Sequence, residues 1–288
     1  MSTVSPSLTA LAPAKVNLSL RITGRRADGY HLLDSLVAFT DFGDRIDVSA
    51  ADRLTLTVQG PFADVVPRDE SNLVIKAAQR LAQAAGIEAQ AHITLTKTLP
   101  AAGGIGGGSS DAATVLRLLI QHWALTLPAQ DLNRLALALG ADVPVCLINK
   151  PCRMTGIGED LSPLPPLPPV GIVLINPGHP CETPAVFRAR SGPFSAPALA
   201  FNPGMTAHSL AEALQQDPND LTEAALQICP SIRQVLDHLA GSPGILLSRM
   251  SGSGATCFGL YDSPDQAQKA ASDLAHPGWW VAAGSLTG

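Results

Sequence analysis

The chain carries little charge and few aromatic rings. Of its 288 residues, 15% are Asp, Glu, Lys or Arg and 4% are Phe, Trp or Tyr. Globular proteins average about 25% charged residues, so disorder driven by charge is excluded. A basic excess is also missing: 19 Lys and Arg stand against 24 Asp and Glu, for a net charge of −5. A protein that binds a phosphate backbone needs the opposite sign, so no nucleic-acid partner is expected. No apolar run approaches the ~18 residues of a membrane span, and no membrane partner is expected either. Met1 to Pro13 holds no Lys or Arg and no long apolar core. That speaks against a secretory signal or an Arg-rich transit peptide and predicts a cytoplasmic protein. Five cysteines occur, at 146, 152, 181, 229 and 257, without a Cys-x-x-Cys pair. An odd count without that spacing fits reduced, buried thiols better than a disulfide framework or a zinc site.

What is present suits a well-packed globular protein. Hydrophobic residues make up 46%, and the length fits one large domain or two ordinary ones. The 25 Gly and 24 Pro fall short of the ~25–30% that marks low complexity. Alternating apolar residues predict strands over Val16–Ile22, Leu54–Val58 and His92–Thr96, with a further strand over Ser35–Val48. Apolar residues at 74, 77, 78, 81 and 85 share one helical face, with Ser71 or Asn72 as N-cap. Helices are also predicted over Asp111–Leu125 and Asp131–Leu139.

The run Leu161-Ser-Pro-Leu-Pro-Pro-Leu-Pro-Pro169 is the clearest break in composition. It cannot be helix or central strand and reads as a semi-rigid connector. Domains over 1–164 and 165–288 are therefore expected. Beyond it, strands are predicted at Ile172–Ile175, Ile245–Leu247, Thr256–Leu260 and Trp279–Ala283. Helices are predicted near Pro184–Arg190, Ser209–Gln215, Asp220–Gln227, Ser231–Ala240 and Pro264–Leu274. Strands and helices mix without strict alternation, which predicts an α+β architecture in two lobes.

The sharpest signal is Pro100-Ala101-Ala102-Gly103-Gly104-Ile105-Gly106-Gly107-Gly108-Ser109-Ser110, between a strand and a helix. Five glycines in six positions let the backbone reach φ > 0 and approach a ligand closely. Ser109, Ser110 and Asp111 offer N-caps for the helix that follows. A helix N-terminus presents unpaired N–H groups and partial positive charge, so the segment predicts a polyphosphate cradle. The alternative is a flexible turn, whose ordering entropy five glycines would make costly. No Lys directly follows a Gly, so this is not a Walker A loop. Ser109 or Asp111 stands where a dinucleotide fingerprint needs its third Gly. Asp41-Phe42-Gly43 spells a protein-kinase triplet but lacks the catalytic loop that would precede it.

The loop resembles the phosphate loop of the small-molecule kinase superfamily that includes galactokinase, homoserine kinase, mevalonate kinase and phosphomevalonate kinase. Met250-Ser-Gly-Ser-Gly-Ala-Thr-Cys257 is similar to the superfamily's C-terminal glycine motif, which packs near that loop. Pro13-Ala-Lys-Val-Asn-Leu18 is similar to its N-terminal motif. Gly24-Arg-Arg-Ala-Asp-Gly-Tyr-His31, Gly140-Ala-Asp-Val-Pro144 and Asn176-Pro-Gly with Thr183-Pro184 resemble the branch that phosphorylates 4-diphosphocytidyl-2-C-methyl-D-erythritol. The resemblance runs nearly end to end. Gly103-Gly104-Ile105 departs from the more usual Ala-Gly-Leu while keeping backbone access and an apolar anchor.

The resemblance implies a superfamily-type N-terminal lobe, a ferredoxin-like C-terminal lobe, ATP as co-substrate with magnesium, and a small-molecule substrate carrying cytidine diphosphate. It implies that Asp142 accepts the proton of the substrate's 2-hydroxyl, with Lys15 beside it. Taken alone, Asp142 reads as part of a helix-ending turn before Pro144. The resemblance further implies a cytosine pocket of Tyr30, His31 and Phe187, with Asn17, Thr183 and Pro184 on the sugar and diphosphate side. Phe187 could instead be core on a short helix. Lys97 either approaches the phosphates or is the solvated end of a strand. No metal ligand is assigned: His179 and Cys181 are two ligand types without partners. A monomer or weak homodimer is expected.

Overall fold

The structure, a computed structural model, describes residues 7–101, 103–198 and 201–287. In chain order the elements are β1 (Leu8–Asn17), β2 (Arg21–Arg25), β3 (His31–Ser49), β4 (Thr55–Gln59), α1 (Leu73–Ala85), β5 (His92–Thr96), α2 (Gly107–His122), α3 (Ala129–Leu139) and α4 (Val143–Ile148). There follow β6 (Cys152–Gly156), β7 (Asp160–Pro163), β8 (Gly171–Asn176), α5 (Thr183–Ala189), α6 (Ala207–Gln215), α7 (Thr222–Ile228), α8 (Ser231–Ala240), β9 (Ile245–Met250), β10 (Cys257–Tyr261), α9 (Pro264–Asp273) and β11 (Trp280–Thr287). The chain packs as two compact units. The first comprises Met1–Ala14, Gly43–Ala101 and Gly106–Ile148; the second comprises Lys15–Phe42, Ala102–Ile105 and Asn149–Gly288.

In the first unit β5 pairs antiparallel with the end of β3 and parallel with β4. Helix α1 forms where the apolar spacing predicts it. Asn72 caps it by accepting the Val74 N–H, and Gly86 ends it in the left-handed region. Its face of Val74, Ala77, Ala78, Leu81 and Ala82 is buried. Helix α2 is buried along most of its length, and the small Ala112 and Ala113 suit so central a position. It starts at Gly107, with left-handed Gly106 as N-cap. Ser109, Ser110 and Asp111 are therefore inside the helix rather than capping it, because a glycine supplies the entry conformation first. The short α4 was not legible; its six residues include Pro144 and two Val, too few for a helical pattern. The Arg117 guanidinium on α2 donates to the Cys146 and Leu147 carbonyls at its end.

In the second unit β8, β9, β10 and β11 form an antiparallel sheet in the order β11-β8-β10-β9. With α8 before β9 and α9 between β10 and β11, this is the βαββαβ order of a ferredoxin-like layer. Helices α5, α6 and α7 are inserted between β8 and α8. Every residue of β8 and β10 is buried, and the Tyr261 hydroxyl donates to Ser242 Oγ at 2.9 Å. Strands β2, β3, β6 and β7 make an antiparallel run beside it in the pairing β2-β3-β6-β7. The β6-β7 hairpin is unpredicted. Pro163 ends β7, which pairs with β6 alone, an edge position that tolerates a missing N–H. The single strand expected over Val16–Ile22 is two, broken at Leu18-Ser19-Leu20. There the backbone bonds elsewhere: the Leu20 N–H donates to the Pro218 carbonyl at 3.1 Å. All five cysteines are free and buried. Burial pushes the Cys152 and Cys181 thiols up to about 11, so they stay protonated and unreactive at neutral pH.

The first unit hides an ion cluster under the start of α2. Lys97 Nζ donates to Asp44 Oδ2 and, at 2.8 Å, to Asp111 Oδ2. Asp44 Oδ1 accepts the Thr98 and Leu99 N–H groups at 2.6 and 2.9 Å. The three side chains are buried. Burial opposes the Lys97 charge, but attraction to Asp111 and Asp44 prevails and raises its pKa. Burial, reinforced by Asp44, pushes Asp111 up to about 7 against the pull of Lys97. Removing the Lys97 ammonium would leave two buried carboxyl groups without its counter-charge, so Lys97→Met is expected to cost about 3–5 kcal/mol in denaturant unfolding. Asp111→Asn should instead keep or raise stability. The folded Asp111 holds its proton more tightly than the unfolded one, so wild-type stability falls from this group as pH rises from 3.8 towards about 7. The gain from the Asn variant should therefore grow across that window and level off above it; unfolding curves at pH 5, 6 and 8 check this.

Candidate active site

The glycine loop is built by close backbone approach. Gly104 has φ 72°, and a Cβ there would fall 2.6 Å from the Gly254 carbonyl oxygen and 2.7 Å from that of Ser251. No side chain fits. Ser251 Oγ donates to the Gly104 carbonyl at 3.1 Å, and the Thr256 N–H donates to the Gly103 carbonyl at the same distance. The glycine motif Met250–Cys257 thus holds the Gly103–Ile105 stretch, as the resemblance implied. Ile105 is buried as the loop's apolar anchor. Gly106 then turns the chain, and the Ser110 N–H closes the first helical bond on its carbonyl at 2.8 Å. The N–H groups of Gly107, Gly108 and Ser109 are left at the head of α2, an anion-binding arrangement. Pro100 and Ala101 lead into the loop; Ala102 lies outside the described residues. Ser110 Oγ is buried with no hydrogen-bond partner.

The end of β1 joins the same assembly in the second unit. The Lys15 N–H donates to the Ile105 carbonyl at 2.9 Å, and its side chain is buried. The Asn17 N–H donates to Ser251 Oγ at 3.1 Å, and Asn17 Nδ2 donates to Ser35 Oγ at 2.8 Å. Asn17 Oδ1 is buried without a partner, so it is available to a ligand donor. Thr183, at the start of α5, shares a 2.7 Å hydrogen bond between its Oγ1 and Ser253 Oγ. Pro184 follows it in the first turn, where its missing N–H costs nothing.

Tyr30 and His31 follow a turn that Gly29 opens at φ 94°. The Asp28 carboxylate accepts the Tyr30 N–H at 3.2 Å. Tyr30 is 61% exposed, an unusual place for one of only two tyrosines. The His31 and Phe187 rings lie 5.4 Å apart, tilted by 36°. Burial, helped by the positive charges of Arg25 and Arg190, lowers the His31 pKa, so the imidazole is neutral at neutral pH. Phe187 is half-buried and faces another ring, which removes the reading of it as simple core.

In the first unit Asp142 is half-buried, and its carbonyl accepts the Cys146 N–H at 3.2 Å as α4 begins. The turn before Pro144 therefore follows the end of α3 at Gly140, as expected, and also starts α4. Lys97 is 3% exposed, which overturns its reading as a solvated strand end. Its Nζ lies 3.1 Å from where a Gly107 Cβ would be. Its partners Asp44 and Asp111 carry no local signal in the sequence, since no short pattern joins the three residues. The Asp41-Phe42-Gly43 triplet is structural: a Cβ on Gly43 would meet the Ala12 carbonyl oxygen at 2.1 Å. Among the described residues, no group of three or more His, Cys, Asp or Glu is placed to hold a metal ion, and no helix is long and apolar enough to cross a membrane.

Residues 72–150 match the N-terminal domain of the GHMP kinases, and residues 199–278 match their C-terminal domain. The chain is 53% identical over 282 residues to the 4-diphosphocytidyl-2-C-methyl-D-erythritol kinase of Paramagnetospirillum magneticum, covering 97% of this chain and 99% of the relative. It is 48% identical to that of Rhodospirillum rubrum, covering 98% and 93%. A crystal structure of a 4-(cytidine 5'-diphospho)-2C-methyl-D-erythritol kinase superposes with a TM-score of 0.79 at 36% identity, over 98% of this chain and 100% of that one. A homoserine kinase from Cytophaga hutchinsonii shares the fold, with a TM-score of 0.67 at 19% identity, over 100% and 97%. The chain belongs to the GHMP kinases and, within them, to the 4-diphosphocytidyl-2-C-methyl-D-erythritol kinase family.

Proposed function

We propose that the chain transfers the γ-phosphoryl group of ATP to the 2-hydroxyl of 4-diphosphocytidyl-2-C-methyl-D-erythritol, a step of non-mevalonate isoprenoid precursor synthesis. The observation that carries this reading is the identity of 53% over 97% of the chain to a kinase of that name. The 2-hydroxyl oxygen bonds to the γ-phosphorus as the bond to the β,γ-bridging oxygen breaks, and ADP departs. The hydroxyl proton passes to the Asp142 carboxylate. A loose transition state asks for little proton removal before attack. The Lys15 ammonium neutralises charge on the transferring group. The Pro100–Ser110 loop receives the nucleotide phosphates on the N–H groups of Gly107, Gly108 and Ser109, while Lys97 offsets part of the Asp44 and Asp111 charge beneath the first turn of α2. Magnesium supplies charge neutralisation on those phosphates when bound. The buried, unpartnered Ser110 Oγ is a hard oxygen donor that fits such an ion.

Tyr30, His31 and Phe187 take the cytosine. A neutral base suits a neutral imidazole, which can donate through one nitrogen and accept through the other. Asn17, Thr183 and Pro184 line the side of the sugar and diphosphate. Coupled ADP release tests the whole reading, with mevalonate, homoserine and galactose as parallel controls. Turnover is expected with the cytidylylated substrate alone, and turnover confined to a control would overturn the substrate assignment. Asp142→Asn should lower kcat by about 100-fold or more, the scale of general base catalysis, with KM little changed. Tyr30→Ala loses a stacking face worth about 1–3 kcal/mol. It should raise KM for the cytidylylated substrate by roughly fivefold or more and leave that for ATP near its native value.

A further inference from the structure

Asn219, in the connection between α6 and α7, is buried at 5% exposure. Its amide is fully used. Nδ2 donates to the Met250 carbonyl at 2.9 Å and to the Gly252 carbonyl at 2.8 Å, and Oδ1 accepts the Leu221 N–H at 3.0 Å. The reverse amide orientation would set an oxygen against two carbonyls, so the chemistry fixes this one. The two carbonyls flank Ser251, whose Oγ accepts the Asn17 N–H and donates to the Gly104 carbonyl, each at 3.1 Å. Gly252 lies at φ 56°, and a Cβ there would come within 2.8 Å of the Gly104 carbonyl oxygen.

The backbone around Asn219 ties back to the strand that carries Lys15 and Asn17. Leu20 and Asn219 form an isolated parallel bridge, and the Asp220 N–H donates to the Leu20 carbonyl at 2.8 Å. Arg249 closes the far side, donating to the carbonyls of Leu18, Asp217 and Leu214 at 2.8, 2.9 and 2.6 Å. Asn219 thus joins two pieces of backbone: its side chain holds the Met250–Gly252 turn that carries Ser251, and its main chain pairs with Leu20, just past the end of β1.

We infer that Asn219 is a positioning residue for phosphoryl transfer, setting Ser251 and through it the Gly104 carbonyl and the end of β1. It touches neither nucleotide nor substrate. The inference rests on the reading of Lys15 and the glycine loop as transfer machinery. Asn219→Asp keeps size and the acceptor for Leu221 but replaces the donor of two hydrogen bonds with an acceptor. Its kcat should fall at least tenfold, by a larger factor than KM for the cytidylylated substrate rises, because His31 and Phe187 lie outside the network.

Val235→Ala removes buried apolar contacts from α8 and serves as the stability control. At a comparable loss of Tm it should keep kcat within twofold of native. A kcat within twofold of native for Asn219→Asp, or an equal kcat loss in the control, would overturn the inference. Should Asn219→Asp fail to accumulate, Asn219→Ser, which keeps one short donor, should show an intermediate kcat loss; native kcat there would also overturn it. If the native protein turns over none of the substrates, the proposed function fails by itself. The inference is then read by calorimetry with magnesium-ATP, where Asn219→Asp should raise Kd at least fivefold and an unchanged Kd would refute it.

Discussion

At Gly104 the backbone of the glycine loop rests on the backbone of the C-terminal glycine motif, with room for a hydrogen atom and nothing larger. Much of the second unit's local structure follows from that contact. Two carbonyls on one side must meet a carbonyl-bearing loop on the other, so like dipoles face each other unless donors intervene. The Ser251 hydroxyl and the Thr256 N–H are those donors. Ser251 in turn needs its own backbone held in a left-handed turn at Gly252, and Asn219 holds the carbonyls on either side of it. A loop rich in glycine would otherwise sample many conformations, and ordering it on binding would weaken nucleotide affinity.

Charge is handled with similar restraint. A chain with 15% charged residues still buries Lys15, Asp34, Asp44, Lys97, Asp111 and Arg249. Burying a charge is unfavourable unless partners replace water. Arg249 meets three carbonyls, and burial lowers its pKa only to about 10, so it stays charged at neutral pH. Lys97 meets two carboxylates, which leaves the cluster with an excess acid, and burial, reinforced by Asp44, lifts Asp111 towards neutrality. That cluster lies beneath Gly107, in the helical turn whose N–H groups face the proposed phosphates. Its negative excess works against an anion there, while a shared proton on Asp111 reduces it.

The parts of the fold legible in the sequence were those with local periodicity. Helices α1 and α8 and strand β5 fall where apolar spacing sets them, because one buried face decides each. The start of α2 was misread: Ser and Asp are the usual caps, but Gly106 takes the entry conformation first. The short α4 and the β6-β7 hairpin carry too few residues for a pattern. The break in the strand after Asn17 was invisible because its cause is Pro218, some 200 residues on. The candidate site divides the same way. Contiguous glycine motifs announced the loop and its support, and a Tyr-His pair in a turn announced an exposed ring. Asn219, Asp44 and Asp111 gave no local sign, since each acts through residues distant in sequence.

The aromatic end of the candidate site draws on few residues. With 4% aromatics, the chain sets one tyrosine exposed and pairs His31 with Phe187. A histidine between two arginines could have been left as a pH-sensitive group. Here burial and the Arg25 and Arg190 charges act in one direction, both against the imidazolium. The ring therefore keeps one donor and one acceptor through the neutral range. A charged ring would offer two donors and would repel the same arginines, whose positive field also favours an anionic diphosphate nearby. Holding the imidazole neutral lets the Arg25 and Arg190 charges and an uncharged hydrogen-bonding ring stand side by side, the pairing that the proposed cytidine diphosphate calls for.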